Sequence, residues 1–204
     1  ATTCWRECRV FFGNTHMGSG TAPSYNVAWR VVARRQHSFQ ERIPVQFAGS
    51  HILSVQQFER ADVERIFAVA DRMGPYARRR RVTRVLDGAI LGSMFFEPST
   101  RTRVSFGSAF NLLGGEVRET TGFENSAIAK GESLYDTARV LSGYSDVIAM
   151  RHPVAGSVAE FAAASRVPVI NGGDGSNEHP SQALLDLYTI KSELVERGRG
   201  IDQL

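Results

Sequence analysis

The sequence predicts an α/β protein with an open parallel sheet of about four strands, covered by helices on both faces and preceded by an irregular N-terminal extension. Short apolar runs recur along the chain without alternation of polar and apolar residues, as expected for strands that are buried on both faces. Segments with apolar residues at helical spacing lie between these runs. Strands that are joined through helices in this way pair in parallel.

The composition is that of an ordinary globular protein. The chain has 204 residues, of which 42% are apolar, and its 24 Lys and Arg against 21 Asp and Glu give a formal charge of +3. This small excess does not argue for a nucleic-acid partner, and we interpret the arginine run from Arg78 to Arg81 as a solvated loop or helix end. No apolar run approaches the ~20 residues that a membrane span requires.

Residues 1–46 carry no readable pattern, and we assign them no function. Gly18, Ser19 and Gly20 are typical of a linker, so we expect an irregular or disordered extension that is foreign to the core, with an organelle-targeting segment as the alternative. Cys4 and Cys8 are too few for a disulfide framework and are weak evidence for a metal. We therefore expect a reducing, cytoplasmic setting.

The core begins with a helix and a strand. Apolar residues at helical spacing over 63–70 predict a helix that Asp62 caps and that closes at Pro75. The apolar run at 89–96 predicts a buried strand that ends before Pro98.

A β-α-β unit follows, and the remaining segments continue the same alternation. A helix begins after Thr102 and ends at Gly114, and a second strand follows near residues 116–119. Leu184 and its apolar neighbours give the last helix a broad apolar face. The elements between are an exposed loop at 121–132, a helix capped by Ser133, a strand at 146–150, a helix at 158–164, a strand at 167–171, a turn at 172–178 and a last helix opened by His179 and Pro180.

The turn between the first strand and its helix carries an unusual set of donors, namely Ser99, Thr100, Arg101, Thr102 and Arg103. Such a turn directs unpaired backbone N–H groups and the positive end of the helix dipole at one spot, which suits a phosphate dianion. An ordinary N-cap is the alternative, but one hydroxyl would satisfy it. Three hydroxyls and two arginines favour an anion site.

Polar residues also follow two later strands of the predicted sheet. Arg151 and His152 come after the third strand, and His179 and Gln182 come after the fourth. Ligands of open parallel sheets bind beyond the carboxyl ends of the strands, so we expect these side chains to share one site with the anion turn. Taken singly, each has a surface or capping role as its alternative; their common location favours a site.

Several of these motifs resemble those of the aspartate and ornithine carbamoyltransferases. Residues 96–102 resemble the carbamoyl-phosphate signature of that family, and residues 151–153 and 174–182 resemble its later motifs, with Ser181 where many members have Thr. The resemblance runs from about Gly49 to the C-terminus. It implies that residues 47–204 form the carbamoyl-phosphate-binding domain, which is the N-terminal domain of these enzymes.

The resemblance also implies roles for individual residues, with no metal or cofactor. Arg101, Thr102, Arg151 and His179 would be catalytic. The phosphate would be held by Ser99, Thr100, Arg101 and Thr102, the carbonyl oxygen by Thr102, Arg151 and His179, and the carbamoyl NH2 by Gln182. Ser126 and Lys130 would reach the site of a neighbouring chain in a cyclic homotrimer.

The aspartate branch is the closer resemblance. Glu97, the loop with Ser126 and Lys130, and the segment from Leu184 to Leu187 resemble that branch, whereas the ornithine branch tends to have Lys at the position of Glu97. The implied reaction transfers the carbamoyl group of carbamoyl phosphate to L-aspartate and serves pyrimidine synthesis. The family's second, amino-acid-binding domain would begin about where this sequence stops, so we expect a fragment. An ornithine enzyme and a non-catalytic phosphate-binding or assembly module are the alternatives.

Overall fold

A computed structural model of the chain describes residues 46–120 and 131–200. Predictions for residues 1–45 and 121–130, including Ser126 and Lys130, lie outside the described residues. The described elements are four strands, β1 (Ile90–Phe95), β2 (Glu116–Thr120), β3 (Val147–His152) and β4 (Val169–Asp174), and five α-helices, α1 (Arg60–Ala77), α2 (Thr100–Leu112), α3 (Leu134–Leu141), α4 (Ser157–Ala164) and α5 (Pro180–Glu196).

The strands form one parallel sheet, which confirms the predicted fold class. Their order is β2-β1-β3-β4, and each pair of neighbours runs parallel. The chain therefore moves outward from β1 to β2 and then crosses back to β3, so the carboxyl ends of β1 and β3 flank the point where the strand order reverses. Ligand sites of open α/β sheets lie at such points. Across 46–120 and 131–200, no helix combines the length and apolar character needed to span a membrane.

Two apolar clusters fill the space on the two faces of the sheet. On one face, Ile148 and Met150 of β3 pack with Phe161 of α4, all fully buried. On the other face, Leu91 of β1 and Ala149 of β3 belong to a cluster that includes Phe106 and Phe110 of α2. β1 and β3 thus contribute apolar side chains to both faces, which explains their nearly unbroken apolar sequences.

The start of α1 differs from the prediction. Glu59 is the N-cap, and Asp62 is the third residue of the helix, where its carboxylate accepts a hydrogen bond from the Glu59 N–H at 3.2 Å. The helix also continues through Pro75 to Ala77. Proline in the last turn removes only one N–H donor, so it does not end the helix here.

Two strands run further than predicted. β3 continues through Arg151 to His152, and β4 continues through Gly172 and Gly173 to Asp174, which pairs with His152. Glycine and aspartate usually mark turns, but here Gly172 and Gly173 lie at an irregularity in the β3–β4 ladder, between the pairs Met150–Asn171 and His152–Asp174. By contrast, Ser133 caps α3 as predicted, since its hydroxyl accepts a hydrogen bond from Asp136 N–H.

The α2 helix also begins earlier than expected, at Thr100. Its end agrees with the prediction, because Gly114 follows the C-cap with a φ of +93°. A Cβ atom at this position would lie 2.6 Å from the Cα of Arg84, so only glycine fits.

Residues 51–55, which we call the strap, lie along the open edge of β4. Ile52 forms a parallel bridge with Ile170, through hydrogen bonds from Ile52 N–H to Val169 O and from Asn171 N–H to Ile52 O, both at 2.8 Å. The side-chain amide of Asn171 donates to Leu53 O at 2.9 Å. The strap ends in a 3-10 turn, Val55–Gln57, that Ser54 caps.

Candidate functional site

A cleft of about 900 Å³ opens at the carboxyl edge of the sheet, beside the ends of β1 and β3. Of the predicted site residues in the described part of the chain, it brings together Ser99, Thr100, Arg101, Thr102, Arg151, His179 and Gln182, but not Arg103 or His152. The residues that line it are Pro98, Ser99, Thr100, Arg101, Thr102, Ser105, Phe106, Ala109, Arg151, His179, Ser181, Gln182 and Leu185.

One side of the cleft is the N-terminus of α2, which its N-cap residue leaves open. Ser99 makes no side-chain capping bond, and the first helical bond runs from Arg103 N–H to Ser99 O at 3.1 Å. The N–H groups of Thr100, Arg101 and Thr102 precede that bond and have no partner in the helix. Within the described residues, the exposed Arg101 guanidinium forms no hydrogen bond or ion pair. This end of α2 can therefore bind an anion with backbone and side-chain donors together.

Arg103 was predicted to be one of the donors of this turn, and the structure contradicts that prediction. Its side chain does not line the cleft. Its Nε atom is buried and has no hydrogen-bond partner among the described residues. A helical residue two positions after Arg101 points about 200° away around the helix axis, so the two arginines cannot face the same ligand.

The opposite side of the cleft holds a single, firmly positioned guanidinium. Arg151, near the end of β3, donates from Nε to the carboxylate of Glu97 at 2.5 Å and from Nη1 to Gly172 O at 3.2 Å. Both carboxylate and guanidinium are about a quarter exposed. The pair fixes the plane of the guanidinium, and its remaining N–H groups are free to donate to a ligand in the cleft.

Gly173 makes room for this guanidinium. A Cβ atom at position 173 would lie 2.6 Å from Nη1 and 2.9 Å from Cζ of Arg151. The residue also has a φ of +127°, which residues other than glycine rarely adopt. Gly173 thus leaves the space that the Arg151 guanidinium occupies, and Gly172 O accepts one of its hydrogen bonds.

His179 is the N-cap of α5, and its ring has a defined tautomer. Its Nδ1 accepts a hydrogen bond from the Gln182 N–H at 3.3 Å. A backbone N–H can only donate, so the proton of the neutral ring resides on Nε2, which becomes a donor. Burial, and then the charge of Arg151, lower the pKa of His179 below its usual value. The ring is therefore neutral near pH 7 and presents an N–H group without adding charge.

The loop before His179 is tied to two distant parts of the chain. The Glu178 carboxylate accepts hydrogen bonds from the Ser54 hydroxyl and the Val55 N–H of the strap, both at 2.7 Å. The buried Asp174 carboxylate accepts from Gly156 N–H at 2.9 Å and Val158 N–H at 3.3 Å, at the start of α4. These contacts fix both ends of the loop, so the position of His179 depends on the strap and on α4.

Gln182 lies in the first turn of α5 and lines the cleft beside His179. Its Nε2 donates to the Asp186 carboxylate at 2.8 Å, one helical turn further along. The side-chain oxygen of Gln182 keeps its acceptor capacity. This amide oxygen can only accept, whereas the Arg101 and Arg151 guanidinium groups of the cleft can only donate.

His152 was grouped with Arg151 in the sequence analysis, but it does not line the cleft. Its side chain points to the other face of β3, where its Nδ1 accepts from Val154 N–H at 3.0 Å and its ring lies 4.8 Å from that of Phe96. Alternation along a strand explains the separation, since consecutive side chains point to opposite faces.

Sequence reasoning missed the residues that hold the site in place, namely Glu97, Gly173, Glu178 and Asp186. Glu97 and Glu178 each adjoin a predicted site residue or motif, but their partners are more than 50 residues away in sequence. Only the i,i+4 spacing of Gln182 and Asp186 was a local signal. Among residues 46–120 and 131–200, no group of three or more His, Cys, Asp and Glu side chains is arranged to hold a metal ion.

The chain matches one family over most of the described core. Residues 50–192 match the family described as aspartate/ornithine carbamoyltransferase, carbamoyl-P binding domain. Among curated proteins, the aspartate carbamoyltransferase catalytic subunit of Saccharophagus degradans is 82% identical over 160 residues, which cover 78% of this chain and 48% of that protein. The corresponding subunit of Cellvibrio japonicus is 80% identical over 158 residues, with coverages of 78% and 47%.

Solved structures give the same result. Aspartate transcarbamoylase from Trypanosoma cruzi in complex with N-(phosphonacetyl)-L-aspartic acid has a TM-score of 0.69 and 43% identity, and the match covers 76% of this chain and 50% of that one. The same enzyme in complex with carbamoyl phosphate and aspartate has a TM-score of 0.67 and 44% identity, with coverages of 72% and 45%. This chain thus spans about half the length of its relatives. It belongs to the aspartate/ornithine carbamoyltransferase family and carries the carbamoyl-phosphate-binding domain of that family.

Proposed function

We propose that the cleft binds carbamoyl phosphate and that this chain is the carbamoyl-phosphate half of an aspartate carbamoyltransferase. The observation that carries the proposal is the meeting of the open α2 N-terminus with Arg151 and His179 in one cleft. An acyl phosphate needs such a pair of features, because its phosphate is a dianion and its carbonyl oxygen gains charge during transfer. The proposed core domain comprises residues 47–204, and residues 1–46 stay without an assigned role.

The phosphate would lie on the α2 N-terminus. Ser99, Thr100, Arg101 and Thr102 supply hydroxyl and N–H donors to its oxygens, and Arg101 can donate two parallel hydrogen bonds. When the carbamoyl group leaves, the bond from its carbon to the bridging oxygen breaks, and the phosphate keeps the electron pair and takes up the proton that the attacking amine loses. Donors that hold a phosphate dianion therefore stabilise the leaving group as well as the bound substrate.

The carbonyl oxygen would lie between Thr102, Arg151 and His179. The amine of L-aspartate attacks the carbonyl carbon, a C–N bond forms, and the oxygen becomes an anion in a tetrahedral intermediate. Removal of one preorganised donor to such an oxyanion typically costs about 2.7–4 kcal/mol of barrier. The neutral His179, with its proton on Nε2, is a donor suited to this oxygen. The side-chain oxygen of Gln182 would accept from the carbamoyl NH2.

L-Aspartate as the acceptor is proposed from the relatives, whose printed names are aspartate carbamoyltransferases. The products would be N-carbamoyl-L-aspartate and phosphate, in the pathway of pyrimidine synthesis. The aspartate-binding part would come from the half of the relatives' length that this chain does not span. Glu97, which pairs with Arg151, is the local feature that favours aspartate over ornithine. The cytoplasmic setting stays a prediction.

Two measurements test the proposal. Calorimetry of the 204-residue chain with carbamoyl phosphate should give binding, and a colorimetric assay for carbamoyl aspartate should give little turnover, because proximity is lost when only one reactant is held. Turnover should appear when the remaining half of a relative is supplied. Binding with no turnover even then would favour a non-catalytic phosphate-binding module, and no binding would refute the assignment of the cleft.

We further propose that Ser126 and Lys130 act in the site of a neighbouring chain in a cyclic trimer, a role taken from the family resemblance. A Lys ammonium would add charge to the phosphate site. If the site is shared, a mixture of Arg101→Ala and Lys130→Ala chains should recover carbamoyl-phosphate binding that neither variant has alone, since some sites combine the two intact residues. A trimeric mixture that binds no better than its components would refute the shared site.

A further inference from the structure

Gln182 and Asp186 form a side-chain pair at the rim of the cleft, one helical turn apart on α5. The Gln182 Nε2 donates to the Asp186 Oδ1 at 2.8 Å, and both residues are exposed. The amide has two ends, and only the nitrogen end can face a carboxylate favourably, because a carboxylate has acceptors and no donor. The carbonyl oxygen of Gln182 is thereby left to face other partners.

We propose that Asp186 is a positioning residue that sets the specificity of the cleft for the acyl group. It holds the Gln182 amide with its oxygen available to the ligand, so that the cleft favours an acyl phosphate whose acyl group carries an N–H donor. Carbamoyl phosphate has that donor, and acetyl phosphate has a methyl group in its place. The inference rests on the proposed function, in which Gln182 meets the carbamoyl NH2.

The geometry explains why an acidic residue is needed at this position. With the amide reversed, the Gln182 oxygen would face the Asp186 carboxylate and both groups would lack a donor, which is unfavourable. Asparagine at position 186 could accept or donate, so it would permit both orientations. If both were equally populated, the competent fraction would be one half and the affinity for the carbamoyl ligand would fall about twofold.

The Asp186 charge also acts on His179. Burial, the largest effect, and the charge of Arg151 lower the pKa of His179, and the Asp186 carboxylate opposes them. The carboxylate therefore acts on the ring that lines the cleft as well as on the Gln182 amide. A pair that merely stabilised the surface of α5 would have no bearing on which acyl group is bound.

The experiment compares affinities for carbamoyl phosphate, acetyl phosphate and inorganic phosphate, measured by calorimetry on the 204-residue chain. The key quantity is the ratio of carbamoyl-phosphate to acetyl-phosphate affinity. Asp186→Ala frees the amide to rotate, so the ratio should fall about two- to fivefold while phosphate affinity changes little. Asp186→Lys offers a donor in place of the acceptor and should lower the ratio at least as far, since it would hold the Gln182 oxygen away from the ligand. The added positive charge cancels in the ratio.

Two further variants separate this inference from its alternatives. Glu193→Ala removes another exposed carboxylate from α5, one that pairs with Arg197, and should leave the ratio unchanged. Gln182→Ala should abolish the preference for the carbamoyl ligand. If Gln182→Ala does so and Asp186→Ala and Asp186→Lys keep the wild-type ratio, the positioning role is refuted and the proposed function stands. If the wild-type chain binds neither acyl phosphate, the proposed function and this inference both fail.

Discussion

The two sides of the cleft are built in different ways. The anion side comes from four consecutive residues at the start of α2, and within the described structure the Arg101 side chain has no protein partner. The carbonyl side comes from β3, β4 and the loop before α5. Its Arg151 is held by Glu97, 54 residues away in the sequence. In the loop before His179, Glu178 is held by Ser54 of the strap, 124 residues away.

This difference separates two ways of presenting donors. The helix N-terminus is already preorganised by its own backbone, so exposed side chains can be added to it without further support. The guanidinium and the imidazole have no such local frame and are oriented by groups behind them. Changes on the anion side should therefore affect affinity and leave stability alone, whereas changes on the carbonyl side should affect both.

The largest effect is expected from Arg101→Ala. Loss of charge-assisted hydrogen bonds to phosphate should weaken inorganic phosphate and carbamoyl phosphate alike, on the order of 100-fold. The free energy of unfolding should not change, because the side chain is exposed. Calorimetry and urea denaturation measure the two quantities, with Arg197→Ala as an exposed arginine control. If Arg101→Ala kept the wild-type affinity for phosphate, the anion would have to bind somewhere other than the α2 N-terminus.

Gly173→Ala should distinguish the contributions of the two sides of the cleft to binding. The new Cβ would displace the Arg151 guanidinium, so carbamoyl-phosphate affinity should fall about tenfold with little change for inorganic phosphate. Backbone strain should also cost about 1–3 kcal/mol of stability.

Gly156→Ala is the matched control for Gly173→Ala. Gly156 also has a positive φ, of +89°, but a Cβ there would have no atom within 4 Å. It should lose stability and keep its affinity for carbamoyl phosphate. Equal losses of affinity in the two variants would mean that backbone strain, and not the position of the Arg151 guanidinium, controls binding.

Ser54→Ala tests the hold of the strap on the loop before His179. It removes the hydrogen bond to Glu178 and the cap of the 3-10 turn, which should cost about 1 kcal/mol in the free energy of unfolding. Ser176→Ala removes an exposed hydroxyl from the same loop and should cost less. Equal urea midpoints for wild type and Ser54→Ala would show that the strap does not support the loop.

The smallest effect is a change in protonation at His179. Its pKa is lowered in the folded state, so its contribution to stability is complete above the unfolded value of about 6.5 and is lost as pH falls toward the folded value. As pH falls below 6.5, the free energy of unfolding of His179→Gln should therefore decrease less than that of the wild type. Nitrogen NMR of the ring at pH 7 should find the proton on Nε2. A proton on Nδ1 would contradict the capping geometry.

The sequence predicted the anion side of the cleft better than the carbonyl side, for a physical reason. The open turn at Ser99 depends on a strand end and a helix start that are adjacent in sequence, so local patterns were enough. Gly172 and Gly173 looked like turn residues because clusters of glycine usually are; only the irregularity in the β3–β4 ladder and the bulk of Arg151 explain their place in β4.

The cap of α1 and the contacts of the strap also could not be predicted from local sequence patterns. Asp62 was expected to begin α1, but a carboxylate can serve a helix start from the N-cap or from the third position, and the sequence alone did not distinguish them. The strap was not predicted, and among the described residues Ile52 makes one isolated bridge with Ile170 of β4. Its role depends on partners such as Asn171 and Glu178, more than 100 residues away.

The strap also bears on self-association. The two outer strands of the described sheet have different edges: β2 carries charged residues, Glu116, Arg118 and Glu119, which discourage pairing with another chain, whereas β4 begins with the apolar Val169 and Ile170. At the β4 edge, the backbone groups of Val169 and Asn171 are already bonded to Ile52. By occupying that edge, the strap keeps it from acting as a template for a strand of another molecule, and light scattering by a chain without residues 51–55 would reveal the loss of this protection.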